Sequence, residues 1–501
     1  MPDLKSPLQA AQWLQQHVRG TLQTDSRALQ AGDGFVAWPG TVVDARKYVA
    51  QAISQGAPAC LVEQQGSELF GLHAGNVGRY PGLKADTGLI ASAFFDNPSH
   101  HLAVLAVTGT NGKTSTTWWL AQALSNLQHP LTMPCGVIGT LGVGQPHTKV
   151  TANGMTTPDP VVLQHTLRQC LDAGLKACAI EASSIGIEEQ RLQGTRVQVA
   201  VFTNFTQDHL DYHGSMEAYW QAKRKLFAWP GLQSAVINID DGHGAEMAQA
   251  LSQHALDVWT VSCHEPARLR AGEIAYRNGG LHFVVQEGTS SVGLQTRMIG
   301  SYNVSNLLGV LAAMRALGVP LQAAVDACTN LSPVPGRMEC LGGTNAPLVA
   351  VDYAHTPDAL AKALDALRPL AQQRGGRLWC VFGCGGDRDA SKRPIMGAIA
   401  MQHADSVVIT SDNPRSEKPE SIISQILLGL VEQTAAQVWV DRAEAIAETL
   451  AQVAAQDVIL LAGKGHETTQ EIAGVKQPFS DFDHAQKALA LRLQPVAGGA
   501  A

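Results

Sequence analysis

The stretch LAVLAVTGTNGKTSTTWWLAQAL, residues 102–124, constrains the fold more than any other part of this chain. An apolar run that reads as a buried strand ends in a glycine turn, and the turn opens directly into a helix. Gly109 and Gly112 let the backbone wrap a phosphate, and the helix that follows offers unpaired N–H groups and the positive end of its dipole. Lys113 can reach the outer phosphates, and Thr114 can put a hydroxyl on Mg²⁺. The strict Walker pattern would need glycine at 107, where this chain has Val107.

Apolar runs alternate with helix-length segments on both sides of that unit: 102–107, 177–182, 197–202 and 234–239, then 347–353, 377–382, 406–410 and 457–462. Strands alternating with helices predict an α/β fold with parallel, doubly wound sheets. Two punctuation points divide the chain, FFDNPSHH at 94–101 and LSPVPGRMEC at 331–340. A length of 501 residues suggests about three domains. The expected units are 1–100, 101–334 and 335–501: an N-terminal domain, a central P-loop-type parallel-sheet domain and a C-terminal Rossmann-like α/β domain.

With 45% hydrophobic and 16% charged residues the chain can bury several cores and is not disordered. A net charge of −7 argues against a general nucleic-acid binder. The nine cysteines show no C-x-x-C pair; even the closest two, Cys380 and Cys384, read as reduced, mostly buried thiols of a cytoplasmic protein rather than zinc ligands. The segment MPDLKSPLQAAQWLQQ lacks the features of a signal peptide. No apolar run reaches the roughly 18 residues that span a bilayer.

The C-terminal apolar runs each end in polar residues: VDYAHTPD at 351–358, FGCGGDRD at 382–389, SDNPR at 411–415 and AGKGHE at 462–467. In open α/β sheets ligands bind beyond the carboxyl ends of the strands. Arg415 should therefore share one crevice with Arg388, Lys464, His466 and Glu467. The plainer alternative for Arg415 is a salt bridge to Glu417 or Asp412 on a surface turn. In the central unit, Glu181 and His209 fall at or just past strand ends beside the phosphate loop, where an Mg²⁺–nucleotide complex needs ligands. Asp208 and Asp211 compete for that role. Lys223, in YWQAKRKLF, reads from its local pattern as an ordinary helix lysine.

The motifs VTGTNGKTS, TTPD, EASS, TNFTQDHLDYHG, AKRKLF, GSYNVSN, PVPGRME, VDYAHTPDAL, GCGGDRD, SDNPR and GKGHE together resemble the Mur ligases, in order from about residue 25 to 483. These are ATP-dependent amino-acid ligases of peptidoglycan precursor synthesis. The resemblance implies that the N-terminal domain holds the UDP end of the substrate, the central domain ATP, and the C-terminal domain the incoming amino acid. ATP phosphorylates a substrate carboxylate, and the incoming amine displaces phosphate from the acyl phosphate. The implied substrates are ATP, a UDP-N-acetylmuramoyl dipeptide ending in D-glutamate, and meso-2,6-diaminopimelate. Mg²⁺ is the implied cofactor. A cytoplasmic monomer with no nucleic-acid or membrane partner is expected.

Carried over by resemblance, Gly109, Thr110, Asn111, Gly112, Lys113, Thr114 and Ser115 hold ATP, with Asn303, Arg337 and Asp352 as further contacts and His355 as an additional candidate. Thr114, Glu181, His209 and Lys223 look like the metal set, and Lys223 aligns with a lysine that is carbamylated in the family. Ser26, Thr156, Thr157, Ser183, Glu189 and Arg191 resemble contacts to the UDP-sugar peptide. Departures cluster there: Glu189 stands where glutamine is expected, Ile185 where histidine is common, Thr41-Val42-Val43 in place of a more polar loop, and Asp44-Ala45 in place of Asp-Gly. Arg388, Asp412, Asn413, Pro414, Arg415, Gly463 and Glu467 resemble the diaminopimelate site. A guanidinium at 415 can grip the distal carboxylate that distinguishes diaminopimelate from lysine. The rival readings are an L-lysine-adding Mur-type ligase, a folylpolyglutamate synthase-like ligase, and a phosphate-binding regulator without ligase activity.

Overall fold

The structure, a computed structural model, describes residues 1–40, 43–72, 75–277, 280–343, 345–430 and 436–493. Three large sheets and one small hairpin account for its strands. The first sheet is four-stranded and parallel, formed by Leu22–Gln23, Gly34–Ala37, Cys60–Glu63 and Val77–Tyr80. The helices Pro7–His17 and Leu83–Phe94 bury Ala10, Leu14, Ile90 and Ala91 against one face of it.

The second sheet has eleven strands. Ala103–Thr108 lies near its middle, with Ala177–Glu181 on one side and Val199–Phe202 on the other, both parallel to it. Side chains alternate across a strand, so this one feeds two cores. Leu105 and Val107 pack with Trp119, Leu120 and Leu308, while Val104 and Ala106 pack with Leu163, Leu167 and Tyr219. That two-sided burial is why the strand reads as a continuous apolar run.

Apolar runs do not reveal the whole sheet. Hairpins extend it at both margins, Gly142–Gln145 with Lys149–Thr151 at one and Leu269–Arg277, Gly280–Glu287 and Ser290–Gln295 at the other. These strands pair antiparallel and are only half buried, so their apolar residues alternate with polar ones and form no run.

The third sheet runs Glu339–Gly343, Ala346–Asp352, Val458–Ala462, Leu378–Phe382, Ser406–Ile409 and Ala436–Val438. All neighbours are parallel except the first pair. The four strands that precede the polar turns are therefore consecutive and point the same way, so the turns emerge along one edge. Among the described residues no helix is long and apolar enough to cross a membrane. The nine cysteines are free thiols, seven of them buried, Cys380 and Cys384 included.

Candidate active site

The phosphate loop spans 109–112 between the strand Ala103–Thr108 and the helix Lys113–Ser125. Gly109 has φ +148°, and an added Cβ there would collide with the Thr203 side chain. The loop is stapled from the neighbouring strand end. Thr203 Oγ1 donates to the Asn111 carbonyl at 2.6 Å, Asn204 Oδ1 accepts from Asn111 N at 2.9 Å, and Thr110 N donates to the Asn204 carbonyl at 2.8 Å. Thr203 and Asn204 are not among the residues the sequence singles out; their position just past the strand beside the loop is the local signal for their role.

Lys113 Nζ donates to the Gly109 and Thr110 carbonyls at 3.0 and 2.8 Å. Burial holds its pKa down, opposed by the charges of Glu181 and Asp208. Thr114 Oγ1 donates to Glu181 Oε2 at 3.0 Å, and Arg337 Nη2 donates to Thr114 Oγ1 at 3.2 Å. Glu181 is 2% exposed and also accepts from Thr140 N at 2.7 Å. Two hard oxygens therefore meet beside the loop lysine, the donor chemistry Mg²⁺ takes when phosphate oxygens and water complete its shell. His209 stands at the start of the helix Leu210–His213, with Nε2 3.4 Å from Asp208 Oδ2, and burial keeps its imidazole below the ordinary pKa. Asp208 lines the same cavity, whereas Asp211 is exposed and does not. Burial pushes the Asp208 carboxyl up, but His355, His209, Lys392 and Lys113 together hold it below its usual value.

Lys223 overturns its reading as an ordinary helix lysine. It sits on the helix Met216–Arg224 but is 1% exposed, with Nζ over the Tyr219 ring and donating to the Gly109 carbonyl at 2.7 Å. Burial, reinforced by Lys113, holds its pKa well below that of an ordinary lysine. Lys223 itself does not line the cavity.

The cavity has a volume of about 560 Å³. Thr110 through Ser115, Glu181 and His209 line it from the central unit, joined by Asn303; Arg337, Asp352 and His355 line it from the C-terminal unit. Asn303 Nδ2 donates to the Ile299 carbonyl, and its Oδ1 accepts from Asn306 Nδ2 at 2.9 Å. Asp352, raised by burial, accepts from Met338 N at 2.7 Å and so fixes the turn that carries Arg337. The Arg337 guanidinium lies 4.3 Å over the Tyr353 ring, with the His466 ring 5.3 Å from Tyr353. Burial drives His355 to about 4 and His466 to about 3, so both are neutral.

The polar turns of the third sheet converge, with one correction. Lys464, expected to share a crevice with Arg415, is a fully buried strut whose ammonium donates to Asn413 Oδ1 at 3.1 Å, Glu467 Oε2 at 2.8 Å and the Thr469 carbonyl at 2.8 Å. Its donors are spent inside the fold. Asn413 Nδ2 donates to the same Glu467 oxygen at 2.8 Å, and Asp412, raised by burial, accepts from Asn413 N. Gly463 N donates to the Asp352 carbonyl, and the Pro414 carbonyl accepts from Glu417 N. Arg388 is exposed and donates to the Asp387 carbonyl at 3.1 Å. Arg415, at φ +52°, donates from Nη1 to the Gly386 carbonyl at 2.6 Å. Glu417 pairs instead with Arg393 at 2.8 Å, and among the described residues no carboxylate lies within 4.0 Å of the Arg415 charge.

The sequence matches the Mur ligase middle domain over residues 107–314 and the Mur ligase glutamate ligase domain over 336–465. It is 60% identical over 97% of both chains to the UDP-N-acetylmuramoyl-L-alanyl-D-glutamate–2,6-diaminopimelate ligase of Acidovorax sp. strain JS42. It is 48% identical over 95% of both to the protein of that name from Janthinobacterium sp. strain Marseille. A solved structure of a ligase of the same name superposes with a TM-score of 0.63 at 33% identity, covering 95% of each chain. This chain is a Mur ligase.

The residues that resemble the UDP-substrate contacts of a Mur ligase are spread more widely than the nucleotide set. Thr156 and Ser183 line the cavity. Thr157 is buried behind them, donating to the Glu181 carbonyl at 2.6 Å and lying 3.0 Å from Ser183 Oγ. Arg191 Nη1 donates to the Thr157 carbonyl at 3.0 Å. Ser26 is buried in the N-terminal unit, and neither it nor Glu189 or Arg191 lines the cavity. Of the departures from this Mur ligase pattern, Thr41 and Val42 lie outside the described residues, Val43 is exposed, and Asp44 pairs with Arg46 at 2.7 Å. Ile185 lies in the helix Ser184–Glu188, and Glu189 is ion-paired to Lys84 at 2.6 Å.

Proposed function

We propose that this Mur ligase joins meso-2,6-diaminopimelate to UDP-N-acetylmuramoyl-L-alanyl-D-glutamate at the expense of ATP, in cytoplasmic peptidoglycan precursor synthesis. A carboxylate is a poor electrophile, and phosphorylation by ATP gives it a leaving group. The γ-phosphoryl passes to the D-glutamyl carboxylate and ADP departs. The incoming amine then adds to the acyl phosphate, loses a proton, and the tetrahedral intermediate expels phosphate as the amide forms. The first step brings two anions together, which demands fixed positive charge around the phosphates.

The cavity supports this assignment because donors from two units face one space. The backbone of 109–115 and the Lys113 ammonium suit the ATP phosphates, with Asn303, Arg337 and Asp352 bounding the same space. Thr114, Glu181 and His209 would hold Mg²⁺, which when bound neutralises phosphate charge. Burial favours the uncharged amine of Lys223, the form that attacks CO₂: the N–C bond forms as one C=O π pair of CO₂ moves onto oxygen, the nitrogen gives up one proton, and the uncharged amine becomes a carbamate anion able to join the metal set. Thr156, Thr157, Ser183 and Arg191, with Ser26 on the N-terminal unit, are assigned to the UDP substrate; Glu189 belongs to the same region through its place in the chain, its carboxylate taken up by Lys84 and Tyr212. The separate sheets support domains of 1–100, 101–334 and 335–501, acting as a monomer.

The observation that carries the amino-acid assignment is Arg415, whose guanidinium donates to a backbone carbonyl and, among the described residues, pairs with no carboxylate. The turn around it is tied by hydrogen bonds from Lys464 and Glu471 N to Asn413 and from Arg415 N to the Glu471 carbonyl, so a distal carboxylate would find a held partner. Arg388, Asp412, Asn413, Pro414, Gly463 and Glu467 frame the rest of that site. The test is Mg²⁺- and ATP-dependent phosphate release with the UDP dipeptide, comparing meso-diaminopimelate with L-lysine in the wild type and in Arg415→Ala. Turnover with diaminopimelate should exceed that with lysine by about 10⁴, and the preference should collapse in the variant. Equal turnover with lysine in the wild type would overturn the role of Arg415.

A further inference from the structure

The turn that carries Glu189 joins three parts of the molecule. Glu189 Oε2 accepts from Lys84 Nζ at 2.6 Å, and Lys84 stands on the helix Leu83–Phe94 that covers the N-terminal sheet. Glu189 Oε1 accepts from Tyr212 Oη at 2.5 Å, and Tyr212 lies in the short helix that begins after His209. Two residues beyond Glu189, Arg191 donates to the Thr157 carbonyl. A carboxylate therefore sits two residues from a guanidinium in a region assigned to a substrate that carries a pyrophosphate and carboxylates.

Left alone, that charge would oppose binding, because it repels the incoming anion and competes for Arg191. It does not titrate away: hydrogen bonds from Lys84 and Tyr212 hold the Glu189 carboxyl below the ordinary carboxylate range. Nor is Lys84 the main tie between the two units. The pair is 44% and 26% exposed, and pairs of that kind contribute little to stability. The close approach is made nearby by Gly88, where an added Cβ would overlap the Gln193 backbone.

We propose that Lys84 is a positioning residue for the anionic UDP-linked substrate: it neutralises Glu189 and, with Tyr212, holds that carboxylate off Arg191, leaving the guanidinium to the substrate. This rests on the substrate reading given above. Removing Lys84 leaves Glu189 without its counter-charge, held by Tyr212 alone and with one oxygen available to Arg191. Removing the charge of Glu189 as well takes away the reason for needing Lys84.

The test is KM for the UDP dipeptide and kcat in the wild type, Lys84→Met, Glu189→Gln and the double variant. Lys84→Met should raise KM about tenfold with kcat within about twofold. Adding Glu189→Gln should return KM to within about threefold of the wild type. A purely structural tie predicts the reverse, since a second substitution cannot restore a contact that the first has removed. With an active wild type, an unchanged KM in Lys84→Met, or a double variant no better than the single one, would overturn this inference alone. A wild type inactive on the UDP dipeptide would overturn the substrate reading and this inference with it.

Discussion

Lys223 and Lys464 are buried and Lys113 is half-buried, and each is held differently. Lys113 leans on its own loop's carbonyls, a weak tether that a phosphate can replace. Lys464 is saturated by three acceptors and is part of the scaffold. Lys223 has one carbonyl and an aromatic face, and its charge is the least supported of the three. Intact-mass analysis of protein kept in bicarbonate buffer should show the gain of one CO₂, absent from Lys223→Met. That variant should also lose phosphate release by at least about 100-fold. An unmodified Lys223 in fully active enzyme would remove the carbamate from the metal set. Gly109→Ala tests the loop itself: the methyl has to displace Thr203, so KM for ATP should rise at least about tenfold while the protein remains folded by circular dichroism.

At the scale of elements, two devices tie the C-terminal unit to its work. The first is the stack of His466, Tyr353 and Arg337, which ends in the Arg337 hydrogen bond to Thr114. It connects the GKGHE turn to the phosphate loop through one aromatic ring. A cation–π contact is worth about 0.5–2 kcal/mol. Tyr353→Leu should therefore raise KM for ATP up to about tenfold, while Tyr353→Phe, which keeps the ring, should stay near the wild type. The second device is the fully buried Arg442–Asp481 pair at 2.7 Å, which docks the helix Asp481–Leu493 under the strand ends and also donates to the Ser411 and Ala462 carbonyls. Arg442→Met leaves Asp481 buried without its partner and should cost about 3–5 kcal/mol in urea unfolding; replacing Asp481 by leucine as well should recover part of it.

Over the whole molecule, acid stability should fall in two windows. His355 and His466 have folded pKa values lowered to about 4 and about 3 from the ordinary 6.5. Below pH 6.5 the unfolded chain binds protons that the native protein does not, so stability is lost as pH drops from 6.5 toward 4. Glu417, held at about 2 by the Arg393 guanidinium, adds a second window, with stability lost from pH 4.5 downward. Thermal midpoints measured from pH 8 to pH 4 should decline through the first window. In His355→Gln/His466→Gln that early decline should be smaller, and an equal decline would assign it to other groups.

How much of this was legible in the sequence follows from where the information resides. The buried parallel strands announce themselves as apolar runs because both of their faces are covered, and the phosphate loop is legible because glycine, lysine and threonine at fixed spacing act over one turn. The polar turns after 346–352, 378–382, 406–409 and 458–462 were likewise visible as abrupt changes of composition. The antiparallel margins of the central sheet were not, since half-buried strands mix their residue types. Lys223 bonds to a carbonyl 114 residues away, and Glu189 to a lysine 105 residues away. Such contacts leave no local trace. By itself the sequence determined the fold class, the phosphate loop and the family, because strand burial, turn chemistry and motif order are properties of short stretches. Only the tertiary structure decided which lysine is a strut and which is buried against a carbonyl and an aromatic face, that Arg415 is left without a carboxylate among the described residues, and which charge Glu189 answers to. Burial and partner choice are set by segments that meet in space after the chain has folded.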